Sequence, residues 1–474
     1  MNSVLLASNR GPVSFTVSDD GELTMRRGGG GLVSGLSGVA RDEGVLWVCA
    51  ALSDGDRSAV RQAPGGRLDQ AGYETGALRM LDIAPATFHR AYNSVANSTL
   101  WFVNHLLYDI PNAPVFGTRF QRDWESYRDY NGAFALALAE EAGHGARVMV
   151  QDYHLTLTPA MLRAERPDLR IAHFSHTPWA PPEYFSLLPD EVGREVLEGI
   201  LGADHAGFLT GRWASAFLDC CAALLGAEID RTARTVTHEG RVTRIGVHGL
   251  GVDGKALWAR AGEPDVESHM TALREQVGDR KLIVRIDRTE LSKNIVRGLL
   301  AYREFLAAHP EWHGRVVHLA FAYPSRHDLP EYREYTASVQ RCAQEIEDEY
   351  ATEDWDPLIL NVNDDYPRSL AAYRMADVLL VNPIRDGMNL VAKEGPVLSP
   401  RCALVLSREA GAAAELGADA LMVNPYDVSG TARALHRALV MPEEERTRRR
   451  ARLESAATAL PPQRWLAAQL DALG

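Results

Sequence analysis

The 474-residue sequence predicts an α/β protein made of two halves, each a parallel sheet with helices on both faces. Three observations carry this. Short aliphatic or β-branched runs alternate with longer helical patterns along the chain. The alternation pauses once, at Val242–Asp253, where three glycines fall within Ile245–Gly251. The composition, 46% hydrophobic and 24% charged, is that of a globular chain with apolar material for two cores.

In chain order, Ser3–Ala7, Val45–Ala50 and Ala146–Gln151 read as strands of the first half. A helical stretch, Pro159–Ala164, leads to a strand at Arg170–Phe174. Ala206–Leu209 is a further strand, and a helix follows through Trp213–Leu225. The glycines of Ile245–Gly251 read as a hinge. In the second half, the predicted strands are Lys281–Ile286, Arg315–Phe321, Leu358–Val362, Val378–Val381 and Ala403–Ser407. Lys293–His309 and Tyr332–Tyr350 are predicted helices. Glu443–Arg452 is charged on all sides and reads as a solvated helix surface. Two Rossmann-like halves of this kind bind ligands beyond the carboxyl ends of their strands, so functional residues are sought just after strands.

Charge and cysteines narrow the function. Lys plus Arg total 50 and Asp plus Glu 63, a net charge of −13, which argues against a nucleic-acid partner but leaves room for a local phosphate site. Cys49, Cys220, Cys221, Cys342 and Cys402 form no CxxC pair and no metal-ligand spacing. Adjacent Cys220 and Cys221 read as small buried residues, and a reducing cytoplasm is expected. Met1–Arg10 has no basic leader and too short an apolar run for a signal peptide. No stretch approaches the ~20 apolar residues of a membrane helix, so no membrane partner is expected.

Six clusters carry possible chemistry. Ser8-Asn9-Arg10 follows the first strand; Arg10 suits an anion, or by itself a surface salt bridge. Gly28–Gly31 precedes a helical pattern, where backbone N–H groups can approach a phosphate; it is neither a GxGxxG fingerprint nor a P-loop, and a flexible loop would look the same. Asp152-Tyr153-His154 and His176-Thr-Pro-Trp179 follow successive parallel strands and so point into one crevice, with no metal-binding histidine spacing. Arg288 and Lys293 lie between a strand and a helix start, where two cations could neutralise a diphosphate leaving group without a metal. In Arg385–Glu394, Asp386 sits on a loop, Gly387 permits a strained turn, and Asn389–Val391 offer free N–H groups at a helix start. Glu394, one turn on, can chelate a vicinal diol.

In this order the clusters resemble the trehalose-6-phosphate synthases, family 20 of the retaining glycosyltransferases, over nearly the whole chain. SNR, GGL, DYHL, HxPxxxPExF, RxxxxK and RDGMNLVAKE recur at compatible spacings, as do Tyr92-Asn93, Asn97, Leu100-Trp101, Pro324-Ser-Arg326 and Val423-Asn-Pro-Tyr426. The resemblance implies a GT-B fold, two Rossmann-like domains facing across a deep cleft. Residues 1–248 would bind the acceptor, joined by a returning helix in 460–474 (around Pro462–Leu473), and residues 249–459 the nucleotide sugar. The implied activity is metal-independent, cofactor-free glucosyl transfer from a nucleoside diphosphate-glucose to glucose 6-phosphate, with retention, giving α,α-trehalose 6-phosphate. Relatives often form dimers or tetramers.

Residue by residue, the resemblance assigns Arg10, Tyr92, Trp101 and Arg326 to the acceptor phosphate and sugar, and Asp152, with Tyr153 and His154, to acceptor hydroxyls. It assigns Gly31 to the donor phosphates, His176 and Asp386 to the donor glucose, and Arg288 and Lys293 to the diphosphate. Met388, Asn389, Leu390 and Val391 would cradle donor groups, and Glu394 the ribose. Four positions depart from the family pattern: Ala50 replaces a second tryptophan after Trp47, Ala180 a proline, Asn294 a glycine, and Asp364 an aromatic near the base. Guanine presents two adjacent donors that a carboxylate can accept together, so Asp364 predicts GDP-glucose over UDP-glucose. Ala50 mildly favours a pseudo-glycosyltransferase joining cyclitol units. A non-catalytic sugar-nucleotide-binding regulator is the third reading, opposed by retention of His176, Arg288 and Lys293.

Overall fold

The computed structural model describes residues 2–18, 20, 22–27, 44–326 and 328–474. The chain divides into two units, Met1–Gly249 with Pro462–Gly474, and Leu250–Pro461.

In the first unit the strands are β1 (Asn2–Ala7), β2 (Val13–Val17), β3 (Leu23–Arg27), β4 (Leu46–Ala50), β5 (Leu78–Leu81), β6 (Ala142–Gln151), β7 (Arg170–Ser175), β8 (His205–Phe208), β9 (Glu228–Asp230), β10 (Thr235–His238) and β11 (Arg241–Val247). The main sheet runs β5-β4-β1-β6-β7-β8-β11-β10-β9. It is parallel from β5 to β11, and β10 and β9 extend it antiparallel. β2 and β3 form a separate antiparallel hairpin. All of β4 and the inner part of β1 are buried, as strands covered on both faces must be.

The second unit holds β12 (Lys281–Arg288), β13 (Val316–Tyr323), β14 (Leu358–Asn361), β15 (Val378–Val381), β16 (Ala403–Ser407) and β17 (Leu421–Val423). They form one parallel sheet in the order β14-β13-β12-β15-β16-β17. Counted from its own first strand this is 3-2-1-4-5-6, the doubly wound order. The parallel part of the first sheet has the same order with one strand more. Each sheet therefore has a point where neighbouring strands send their connections to opposite faces, between β1 and β6 in one and between β12 and β15 in the other. Loops diverge there and leave a crevice.

Three expectations change. Ile245–Val247 belongs to β11, paired with β8, so this part of the glycine run is not a hinge. A Cβ at Gly246 would strike the rings of His205 and His248, and one at Gly251 would lie 2.5 Å from the Ala457 carbonyl. These glycines serve close packing. Second, the charged helix is not solvated all round. It runs Glu443–Thr458 and buries Leu453, Ala457 and Arg446. Arg446 donates through Nη1 to the carbonyls of Asp377 (2.9 Å) and Arg401 (3.1 Å), and through Nη2 to that of Ala438 (2.7 Å). Third, β5, β9, β10 and β17, which the sequence pattern does not mark, are strands of only three or four residues. All five cysteines are buried and unpaired. Among the described residues no helix is long and apolar enough to cross a membrane.

Arg446→Ala is expected to cost about 3 kcal/mol, because several buried carbonyls lose their donor together. Urea unfolding reads this directly, and a loss under about 1 kcal/mol would show that water replaces the guanidinium.

Candidate functional site

In the first unit the site grows from the ends of β1 and β6. Past β1, the Trp47 indole donates to Ser8 Oγ (2.7 Å), the Ser8 hydroxyl donates to the Arg10 carbonyl (2.8 Å), and the Tyr130 hydroxyl donates to Asn9 Oδ1 (2.6 Å). These bonds hold the loop while the Arg10 side chain stays exposed. Ala50 is buried at the end of β4, and its N–H donates to the Asn9 carbonyl.

Past β6, Asp152 has φ of 73° and ψ of 172°, a conformation that costs a non-glycine residue about 1–3 kcal/mol. Two bonds to the end of β7 hold it there. Its N–H donates to the Phe174 carbonyl (2.7 Å), and its Oδ1 accepts from the His176 N–H (3.1 Å). Beside it, His154 stacks on Tyr92 with ring centroids 5.6 Å apart, and Tyr92 stacks on Phe88 at 5.2 Å. Tyr153 lies 5.5 Å from Trp101 and donates its hydroxyl to Asn97 Oδ1 (2.9 Å). Tyr92, Trp101, Asp152, Tyr153 and His154 are thus brought together.

Asn131 is a supporting residue that no motif marked. Its Oδ1 accepts from the N–H groups of Leu157 and Thr158, both at 3.1 Å, and its amide donates to the Tyr127 and His154 carbonyls. His176 sits past β7 with Nε2 2.9 Å from Gln151 Oε1. Desolvation, with His173 nearby, pushes its ring down to about 3, so it is neutral at physiological pH. Trp465, from the C-terminal helix Pro462–Asp471, packs edge-on against Phe174 at 4.9 Å and lies 5.4 Å from His176.

In the second unit the site grows from the ends of β12, β13 and β15. Glu290, fully buried, is ion-paired through Oε1 with Arg288 Nη2 at 2.8 Å and accepts the Ser325 hydroxyl on the same oxygen at 3.1 Å, with Arg326 3.8 Å from Oε2. Arg326 therefore lies beside Arg288 within this unit. It also donates to the Tyr332 hydroxyl (2.6 Å) and holds φ of 48°. Lys293 Nζ lies 2.6 Å from Asp386 Oδ2, which also accepts from the Asn389 amide at 3.2 Å. Burial alone would lower the Lys293 ammonium, but Asp386, Asp287 and Glu290 outweigh it and hold it above its ordinary value.

Beneath this turn the fully buried Arg285 pairs with Asp287 (2.7 Å) and donates to the Lys293 carbonyl (3.1 Å). Asn294 stands where a glycine is usual and shows why it is accepted. Its φ is 58°, which asparagine tolerates, and its amide donates to the Asn382 and Pro425 carbonyls. Past β15, Met388 is buried and Asn389, at φ 74°, accepts the Ala392 N–H just before the helix Val391–Leu398. Leu390 is the N-cap, and Glu394 in the first turn accepts the Tyr373 hydroxyl at 2.8 Å. Gly411 permits this approach, since a Cβ there would collide with the Gly387 carbonyl. Gly31 and its glycine loop lie outside the described residues.

Two doubly wound units, one with cations and a helix N-terminus at its switch point and the other with an aromatic and polar cluster at its own, are the parts of a glycosyltransferase of the GT-B class. The model of Glycosyltransferase family 20 matches residues 2–474, and the chain belongs to that family. It is 36% identical over 459 residues to a bifunctional trehalose-6-phosphate synthase/phosphatase of Thermoproteus tenax, covering 94% of this chain and 60% of the relative's length. It is 33% identical to the UDP-forming α,α-trehalose-phosphate synthase 2 of Aspergillus fumigatus, covering 94% of this chain and 91% of that one. A solved E. coli structure bound with UDP-2-fluoro glucose matches with a TM-score of 0.86 at 28% identity, covering 99% of this chain and 98% of that one. A UDP-forming synthase from Burkholderia xenovorans in complex with glucose-6-phosphate matches with a TM-score of 0.86 at 27% identity, covering all of both chains.

These relatives overturn the expectation of GDP-glucose. The physical reason is at Asp364, whose side chain is exposed, so water competes for its oxygens and little discrimination between bases results. The neighbouring Asp365 is a helix cap, accepting the Arg368 N–H at 3.0 Å.

Glu290→Gln should lower turnover by loosening Arg288. A double-mutant cycle with Arg288→Lys is expected to show coupling of about 1–3 kcal/mol in kcat/KM, whereas strictly additive losses would remove Glu290 from that role. Because the His176 ring is depressed to about 3, lowering the pH to about 5 does not charge it. The pH–rate profile of His176→Gln should therefore keep the wild-type shape above that pH. Loss of an ionisation near 6 in the variant would contradict this.

Proposed function

We propose that the chain transfers glucose from UDP-glucose to glucose 6-phosphate with retention, giving α,α-trehalose 6-phosphate and UDP. The carrying observation is the pair Arg288 and Lys293 beside the N-terminus of Val391–Leu398, at the switch point of the second unit. Two fixed cations and a helix tip suit the charge that grows on a departing diphosphate, and they act without reorganising. Glu394 would take the ribose hydroxyls, and the backbone from Met388 to Val391 the donor's phosphates and sugar.

In the first unit, Arg10 supplies an exposed guanidinium for the acceptor phosphate, and Tyr92, Trp101, Asp152, Tyr153 and His154 hold the sugar. Arg326 would add a second guanidinium to that phosphate. Neutral His176 would hydrogen-bond the donor glucose. Asp386 is already neutralised by Lys293, which makes it a poor nucleophile. A front-face route follows, in which the leaving β-phosphate takes the acceptor's proton while the anomeric carbon passes through an oxocarbenium-like state. The charge that a metal would otherwise neutralise is carried by Arg288 and Lys293. Five unpaired buried thiols support a reducing, cytoplasmic setting.

The test is UDP release and disaccharide phosphate formation from UDP-glucose and glucose 6-phosphate. No product from this pair would defeat the reading. Arg288→Ala should cut turnover by about a hundredfold or more with the fold intact, since it removes transition-state charge stabilisation. Arg326→Ala should act mainly on the KM for glucose 6-phosphate, and an unchanged acceptor KM would take it out of that site.

A further inference from the structure

Away from the strand ends, three side chains that glucosyl transfer does not use meet on the second unit. His309 follows the helix Ile295–Ala308, Glu311 lies in the turn Pro310–Trp312, and His436 is in the last turn of the helix Val428–Leu439. One ligand atom from each lies within 4.8 Å of the other two. His309 Nδ1 is 3.1 Å from Glu311 Oε1. The two imidazoles stack with centroids 3.8 Å apart and planes 17° from parallel, and Phe305 flanks both, at 5.5 Å from His309 and 6.3 Å from His436. Glu311 is exposed and the two histidines half-buried, so an ion can reach all three.

Two imidazole nitrogens and one carboxylate oxygen make a donor set of borderline softness. It suits Zn²⁺ or another late first-row divalent ion and leaves coordination positions for water. Metal–ligand bonds of about 2.0–2.2 Å place tetrahedral ligands ~3.3 Å apart. The His309–Glu311 pair is already near this spacing, while the two stacked rings must turn out of their stack so that their in-plane lone pairs converge on one ion. The charge states agree with the geometry. Desolvation and the neighbouring His309 hold the His436 ring below its ordinary value, which leaves a lone pair available at neutral pH. Bonding to its own backbone N–H and to His309 holds the Glu311 carboxyl below its ordinary value. Sequence spacing hides the site, because His436 is remote in the chain from His309-Pro-Glu311.

We propose that His309, Glu311 and His436 bind one Zn²⁺ or similar late first-row divalent ion, clamping the C-terminal end of Ile295–Ala308 to that of Val428–Leu439.

The test is calorimetric titration of the untagged full chain with ZnCl₂, beside Glu311→Gln and His436→Gln. Glu311 is exposed, so its variant is expected to fold. Expected are one equivalent bound by the wild type, affinity weaker by about tenfold or more in each variant, and a Zn²⁺-dependent rise in melting temperature confined to the wild type. Mg²⁺ should produce neither effect, since it prefers oxygen ligands. Absence of saturable one-equivalent binding, equal affinity in wild type and variants, or an equal response to Mg²⁺ would overturn the proposal.

Discussion

The constraint on which the rest depends is the strand order 3-2-1-4-5-6, present in the parallel part of both sheets. A parallel strand must be followed by a crossover, and right-handed crossovers send connections to one face on one side of the first strand and to the other face on the other side. The loops after β1 and β6 part company, as do those after β12 and β15. Every residue assigned to acceptor or donor within the described residues leaves one of these sheets near its strand ends or packs beside a residue that does. The sheet supplies no chemistry, but it decides which side chains can share a crevice.

The loops at those ends are held in conformations that the chain would not choose by itself. Asp152, Asn294, Arg326 and Asn389 all have positive φ without being glycine, and all lie at the site. Each is tied down by bonds that a relaxed backbone would forfeit: Asp152 to Phe174 and His176, Asn294 to Asn382 and Pro425, Arg326 to Tyr332, and Asn389 to Asp386 and Ala392. Local strain is thus offset by the surrounding hydrogen bonds, and the side chains are aimed before any ligand arrives. Buried charge follows the same logic. Arg285 and Glu290 are fully buried, and each supports a cation that must stay accessible.

What could be read from the sequence follows from where the signal is local. Val378–Val381 and Ala403–Ser407 were readable because aliphatic runs between polar loops allow little else, whereas β9 and β10 are short strands that take their form from their neighbours, β10 from β11 and β9 from β10. Arg288, Lys293 and Asp386 were readable because the strand, turn and helix start are written beside them. Asn131, Arg285, Glu290 and Trp465 were not, since each acts through partners remote in the chain or without a motif. Arg446 misled because a charged run says nothing about which of its members finds buried carbonyls. Asp364 misled for a related reason. Complementarity to guanine was argued from functional groups, but discrimination by hydrogen bonding requires a site sheltered from water, and exposure cannot be read from one residue's identity.

The donor site also shows how charge is kept ready for a ligand. Lys293 is paired with Asp386, and Asp386 with Asn389, so the lysine is neither bare nor fully neutralised. For a diphosphate bound there as proposed, the ammonium is already desolvated, and Asp386, Asp287 and Glu290 hold it above its ordinary value. Arg288 is arranged differently. Its Nη2 is ion-paired with Glu290 while more than half of the side chain remains exposed, at 57%. An ion pair at one nitrogen restricts where the rest of the planar fork can point. One cation thus arrives with its solvation already removed and the other with its orientation already set. A site that must stabilise charge only as a bond breaks needs both, since reorganisation at that moment would be added to the barrier.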